Sequence, residues 1–366
     1  MKILYDHQAF SNQRYGGVSR YFCELMKNLP SEHQFELSLL STENYYIQES
    51  KNIFNKINLL PSKNFKGRGT ISAKLNSLNK YYSIHSITTN NFDLFHPTYY
   101  DNYFLNKLKK PFIITVHDLI NIKFKDTFNI DDEIGFQMRR LINKANRIIA
   151  VSENTKNDLV EILNINPDKI DVIYHGYNKK NSLKSENIIK KFGQYILFVG
   201  ARSQYKNFKI LAEAISKLLK TEKNLKLVCV GRPFNNEENL LLSKLGIANQ
   251  TKALYVNEDT LNDLYSNALL FVYPSLYEGF GMPILEAFAN NCPVCLSNTS
   301  CFPEIAGNAG AYFDPHDQES VLFAVKNVIY NNSYAEKLVL AGQERLKSFS
   351  WEKAAKETIS SYYKAI

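Results

Sequence analysis

KILYDHQAFSNQRYGGVSRYFCELMKNLPSEHQFELSLLS, residues 2–41, opens the chain with a β-loop-α-β pattern. KILYD (2–6) is a short apolar run that stops at an acid, the pattern of a buried strand. After Gly16 and Gly17, VSRYFCELMKNL carries apolar residues at helical spacing, and FELSLLS (35–41) reads as a second strand. Strand, helix, strand at this spacing is typical of a doubly wound α/β sheet.

The same alternation continues downstream. Strands are expected at FDLFHP (92–97), FIITVHD (112–118), RIIAVS (147–152) and IDVIYHG (170–176), with helical patterns between them, among them 134–146 and 154–163. YNKKNSLKSENIIKKFG (177–193) is polar and reads as an interdomain linker. A second series follows: YILFVGA (195–201), LKLVCVG (225–231), KALYV (252–256), LLFVYPS (269–275) and PVCLS (293–297). The expected organisation is an N-terminal domain over 1–180 and a C-terminal domain over 190–349, both Rossmann-like and without a detectable internal repeat. Two parallel-sheet domains in tandem place a cleft between two sets of strand ends, and ligands of such sheets bind beyond those ends.

Composition narrows the class. The chain has 366 residues, beyond the usual limit of one core, and 45% of them are hydrophobic, enough for packed domains. No window approaches the roughly 18 apolar residues of a membrane span, and MKILYDHQAF lacks a signal-peptide core. Five scattered cysteines argue against a disulfide scaffold and fit a reducing compartment, so a cytoplasmic protein is expected. The net charge is +8; residues 1–180 hold 24 basic and 18 acidic side chains, so the excess sits mostly in that half. Between 51 and 92 there are seven cations (Lys51, Lys56, Lys63, Lys66, Arg68, Lys74, Lys80) and no acid, interleaved with Phe54, Phe65 and Tyr81. Such a stretch suits an anionic membrane surface, through 51–82, or a diphosphate-bearing lipid acceptor; a solvated face is the plainer alternative. Nucleic-acid binding is not expected, since no recognition motif accompanies the charge.

The densest chemistry follows the strand LLFVYPS, in LYEGFGMPILEAFANN (276–291). Gly279 and Gly281 flank Phe280, and Pro283 falls where a first helical turn tolerates it. A helix start beginning near Met282 offers backbone N–H groups to an anion. Glu278 on the loop suits the hydroxyls of a sugar, and Glu286, eight residues on, suits a bidentate pair from adjacent ribose hydroxyls. An acid near a helix start is also common for dipole reasons alone.

This segment, E-G-F-G-M-P-I-L-E, resembles the E-x7-E signature of glycosyltransferase family 4, the retaining, nucleotide-sugar-dependent enzymes of GT-B fold. The resemblance extends to GGVSRY (16–21), TVHDL (115–119), VSENTKNDL (151–159), VIYHG (172–176), FVGARSQYKNF (198–208) and LNDLYSNALLFVYPS (261–275). It implies two Rossmann-like domains facing across a cleft, with the C-terminal helix (350–366) packing back on the N-terminal domain. The reaction implied is transfer of a hexose from a nucleoside-diphosphate sugar to a hydroxyl of a glycan or polyprenyl-diphosphate-linked acceptor. The setting the resemblance implies is bacterial surface polysaccharide synthesis (O-antigen or capsule), with GDP-mannose or a UDP-sugar as donor. By resemblance His117, Glu278 and Lys206 act at the transferred sugar and its leaving group. The donor is held by Gly16, Gly17, Arg202, Lys206, Gly231, Val256, Glu278, Gly279, Phe280, Gly281, Met282 and Glu286. Ala201 stands where the family commonly has Arg, one place before Arg202.

No Asp-x-Asp pair sits near a strand end and Cys292-Pro-Val-Cys295 lacks partner ligands, so neither metal nor cofactor is expected. A nucleotide-sugar 2-epimerase of the same fold and a non-catalytic scaffold subunit are the competing readings. The first would not be expected to carry the E-G-F-G…E loop in this form, and the second predicts loss of Glu278, Glu286 or Lys206, all of which are present.

Overall fold

All six apolar runs of the N-terminal half become strands: β1 (Lys2–Tyr5), β2 (Gln34–Leu37), β3 (Leu94–His96), β4 (Ile113–Val116), β5 (Arg147–Ala150) and β6 (Ile170–Val172). The computed structural model describes residues 1–56, 58–60, 66–89, 91–128, 132–178 and 192–366. Most of the expected linker, residues 179–191, lies outside them, as do Lys63 and Phe65 of the basic stretch.

The strands pair in parallel in the orders β2-β1-β3 and β4-β5-β6, and a parallel bridge between Phe95 and Phe112 joins the two groups. LFH and IITV are buried at every position, as parallel strands covered by helices on both faces must be. The helix Gly17–Lys27 follows β1, and Glu153–Leu163 follows β5 with its start capped by Ser152, whose hydroxyl accepts from Thr155 N–H.

The second series forms β7 (Tyr195–Val199), β8 (Lys226–Val230), β9 (Thr251–Leu254), β10 (Leu270–Tyr273), β11 (Val294–Ser297) and β12 (Gly310–Phe313). Their order is β9-β8-β7-β10-β11-β12, all parallel. This is the doubly wound order of a Rossmann sheet, reversing direction between β7 and β10. The edge strand β12 has no counterpart among the expected strands, since GAYF begins at a glycine and is too short for a periodic signal. Helices Phe208–Thr221 and Gln318–Tyr330 bury Leu211, Ile215, Val321 and Val325 against Ile196, Phe198 and Val272 of the sheet.

Two compact units result: Met1–Gly176 with Ser350–Ile366, and Tyr177–Phe349. The last helix, Trp351–Ala365, thus belongs to the first unit. Its Trp351 and Tyr362 are fully buried there; the Tyr362 hydroxyl lies 2.8 Å from that of Tyr5 and 2.7 Å from His96 Nδ1. Asp171 at β6 ties the helix down, accepting from Ser361 at 2.7 Å and Lys364 at 2.6 Å while pairing with Arg147.

Candidate functional site

The second sheet reverses direction between β7 and β10, the place beyond whose strand ends ligands of such sheets bind. The loops after β7 and β10 carry the residues the sequence singles out. They are fastened together by Leu276 N–H donating to Tyr205 O at 2.8 Å. Lys206 ends the short 3-10 turn Gln204–Lys206, and its ammonium lies 2.6 Å from Glu278 Oε1 and 3.4 Å from the Tyr273 hydroxyl. Both charged side chains are about seven-eighths covered, at 13% and 14% exposure, so the pair is desolvated and strong but still reachable. Glu278 is held from behind: its N–H donates to Ser300 Oγ at 3.1 Å, and that hydroxyl donates to Glu278 O at 2.6 Å.

The helix after β10 runs Met282–Ala289, with Pro283 in its first turn and Gly281 as its N-cap. Gly281 has φ +89°, a left-handed conformation that strains any L side chain, which accounts for a glycine at this place. One turn into the helix, the Glu286 carboxylate accepts from the Tyr265 hydroxyl at 3.2 Å. Burial, reinforced by Glu286, holds the Tyr265 hydroxyl well above its usual range, so it stays a protonated donor; burial and Glu278 do the same to Tyr273. Tyr265, Tyr273 and Ser300 were not legible as site residues. Tyr273, the last residue of β10, had a positional signal; the other two had none.

Several expected donor contacts are placed otherwise. Arg202 turns into the domain with no exposed side-chain surface. It pairs with Glu238 at 3.0 Å, donates to Arg232 O and to Pro233 O at 3.1 Å, and lies 4.6 Å from the Phe234 ring centroid. The desolvated carboxylate 36 residues downstream draws it inward, while its Nη1 is buried without a hydrogen-bond partner beside Gly231. Phe280 is buried at 4% exposure with its edge toward Phe349, leaving Gly279 and Gly281 to bring backbone near a ligand. Val256 does not end a strand: β9 stops at Leu254, and Val256 lies half-buried on the way to the helix Glu258–Asn267. Gly231 lies where the ends of β7 and β8 touch; a Cβ there would sit 2.7 Å from Gly200 O, so a side chain is excluded. Met282, the first residue of its helix, is partly exposed beside Gly281.

In the first unit Gly16 precedes and Gly17 begins the helix Gly17–Lys27, with open space where a Gly17 side chain would stand. His117 follows β4. Its N–H donates to the Tyr100 hydroxyl at 3.1 Å, its ring meets Tyr21 edge-on at 5.1 Å, and its Nε2 is buried without a hydrogen-bond partner. Burial lowers its pKa to about 3, so the imidazole is neutral and can offer a hydrogen bond but no charge. His96 is lowered to about 3 as well, by burial first and His117 second, and is locked between Tyr362 and Thr115 Oγ1. All five cysteines are buried and free, Cys292 and Cys295 included, with both thiols pushed up by burial. Among the described residues no group of three or more His, Cys, Asp or Glu is arranged to hold a metal.

Comparison with known proteins follows the same division. Residues 15–180 match the Glycosyltransferase Family 4 model and residues 179–345 the Glycosyl transferases group 1 model. The O-antigen chain mannosyltransferase RfbU of Salmonella typhimurium is 31% identical over 216 residues, covering 59% of this chain and 60% of that protein. The O-antigen chain mannosyltransferase B of Escherichia coli is 25% identical over 368 residues, covering 94% and 95%. Among solved structures, a sucrose-phosphate synthase from Thermosynechococcus elongatus superposes with a TM-score of 0.77 at 16% identity, covering 99% of this chain and 98% of that one. Anabaena Alr3699/HepE in complex with UDP and glucose gives 0.75 at 16%, covering 99% and 100%. At these identities the structures establish the GT-B fold.

Proposed function

The chain belongs to the family 4 glycosyltransferases of GT-B fold, and from that premise we propose that it moves mannose from a nucleoside-diphosphate sugar to a hydroxyl of a lipid-linked glycan during O-antigen synthesis, with retention of configuration. The observation that carries the reading is the meeting of Lys206 with Glu278 at the reversal of the sheet, beside the start of the Met282–Ala289 helix. The mannosyl and O-antigen parts rest on the names of the two curated relatives.

Lys206 is placed to neutralise the diphosphate. An ammonium has three donors, so it can hold Glu278 and a phosphate oxygen at once, and its attraction grows as charge develops on the leaving oxygen. Glu278 receives sugar hydroxyls, and Glu286, steadied by Tyr265, receives the ribose. Gly279 and Gly281 let the backbone approach. In the first unit the neutral His117 keeps its buried Nε2 without a hydrogen-bond partner, available to a hydroxyl, and Gly17 leaves open space at the start of its helix. As the glycosidic C–O bond breaks, the electron pair stays on the β-phosphate oxygen. That oxygen takes the acceptor proton while the acceptor oxygen bonds to the anomeric carbon from the same face. No metal and no other cofactor enters this scheme. The work is assigned to the cytoplasm, at the inner face of the plasma membrane.

Purified protein incubated with a panel of radiolabelled nucleotide sugars and lipid-linked acceptor tests this. Label in the glycan fraction is expected. A changed free nucleotide sugar would mean epimerisation, and unchanged donor would mean a non-catalytic subunit.

A further inference from the structure

The loops after β1 and β2 and the helix Arg68–Thr89 line a pocket of about 210 Å³ within the first unit. Its walls are fastened together by hydrogen bonds. The Thr42 hydroxyl donates to Phe10 O at 2.5 Å, Asn44 Nδ2 to Gln13 O at 2.7 Å and Tyr45 N–H to Arg14 O at 2.9 Å, which joins the two loops. The buried Asn79 of the helix donates to Ser11 Oγ at 3.1 Å and to Ser41 O at 2.8 Å, which ties the helix to both. The shape of the pocket is therefore preset by the fold.

Its lining says what suits it. Arg14 and Glu43 are the two charged residues there. Glu43 pairs with Arg68, and the Arg14 guanidinium lies 5.9 Å from the ring centre of its neighbour Tyr15, so no cluster of cations awaits an anion. The rest of the polar lining is amide and hydroxyl. Among the described residues the Asn12 amide and the Ser72 hydroxyl have no hydrogen-bond partner, and Asn76 engages a single N–H, with Ser11 O at 3.4 Å. Amides and hydroxyls both donate and accept, as sugar hydroxyls do. Phe10 and Leu75 add an apolar patch. Arg14 and Asn44 are followed directly by Tyr15 and Tyr45, whose rings stack at 4.9 Å with Tyr15 44% exposed. Beside such a pocket an exposed ring offers its face to the C–H side of a pyranose. The volume is below the roughly 300–1,000 Å³ of a drug-sized site and suits one sugar ring.

The strands of this unit are all parallel, so the pocket and His117 lie along the same edge of the sheet. β1 and β2 stand two and three positions from β4, about 10 and 14 Å at 4.7–4.9 Å per position. A ligand reaching from His117 to the pocket holds more than one sugar ring. We propose that the pocket binds an uncharged sugar residue of the acceptor glycan, set back from the residue that receives mannose. That the glycan is an acceptor rests on the glycosyl-transfer reading; that the pocket takes a neutral sugar rests on its own lining. Saturation-transfer NMR on the full chain, with neutral mono- to tetrasaccharides of mannose, galactose, rhamnose and N-acetylglucosamine beside a uronic acid and a hexose phosphate, tests this. At least one neutral oligosaccharide is expected to bind wild type. Asn12→Ala combined with Tyr15→Ala should weaken it at least about fivefold. Ser72→Phe, which fills the pocket, should abolish it. Circular dichroism and binding of GDP and UDP should stay at wild-type values in both variants. No neutral oligosaccharide bound by wild type, binding that survives either variant, or binding of the anionic sugars alone overturns the inference. Failure of the glycosyl-transfer reading would show instead as oligosaccharide binding without label transfer from any nucleotide sugar.

Discussion

Lys206 and Glu278, 72 residues apart in sequence, meet at 2.6 Å between the loops of β7 and β10, each with about one-seventh of its side chain exposed. The pair holds a cation at the strand ends before any ligand arrives, so a diphosphate meets a charge already in place. Lys206→Met should lower kcat by roughly 100- to 1000-fold, the usual effect of removing one group that stabilises developing charge. Steady-state kinetics check this. A fall confined to the melting temperature, with kcat retained, would assign Lys206 to structure alone.

Tyr265 supports Glu286 from within its own domain, with its hydroxyl 3.2 Å from the carboxylate. Tyr265→Phe keeps the ring and removes the donor. Donor KM is expected to rise at least about tenfold with kcat nearly unchanged, a hydrogen bond to a charged group contributing about 1.5–3 kcal/mol. In a cycle with Glu286→Gln the two effects should be strongly non-additive. Additive effects would disconnect the two residues.

Arg202 tests the opposite assignment. Its Nε and Nη2 are taken by Glu238 and two backbone carbonyls. Arg202→Met leaves the buried Glu238 with only the exposed Arg232, at 3.6 Å, as counter-charge and should destabilise the C-terminal domain by up to about 3–5 kcal/mol. Donor KM in the folded fraction should stay at the wild-type value. Calorimetry beside donor titration separates the two effects, and a large rise in KM would return Arg202 to the donor site.

The legibility of this site in the sequence follows from what each residue depends on. The Glu278–Glu286 loop could be read because local rules fix it: an apolar strand, two glycines, a proline in a first helical turn. The strand ends carrying His117, Lys206 and Gly231 could be read for the same reason. Arg202 could not, because its direction is set by Glu238, 36 residues downstream. Tyr265 could not, because on its own helix it reads as an ordinary core aromatic and gains a role only when Glu286 arrives from the next one. β12 escaped because four residues beginning with glycine carry no periodicity.

The buried imidazoles give the first unit a pH signature. His96 and His117 both fall to about 3 in the fold against about 6.5 in the unfolded chain. Between those values the unfolded chain binds protons that the fold excludes, so stability rises with pH across the window and is lost as pH falls from about 6.5 toward 3. Each residue contributes roughly 1.4 kcal/mol per pH unit there. Melting temperature should be flat in this respect above pH 7 and drop below pH 6, and His117→Gln should make the decline shallower. An unchanged slope in His117→Gln would mean that the ring is protonated in the fold.

The most direct measurement is isothermal titration of GDP, UDP and dTDP into wild-type protein and into Glu286→Ala and Lys206→Ala. One nucleotide is expected to bind the wild type at micromolar affinity, weakened at least about tenfold by either substitution, since each removes a charge-assisted contact. Tight binding that survives both substitutions, or no binding of any nucleoside diphosphate to the wild type, would contradict the assignment of the glycine-framed acidic loop as the donor site.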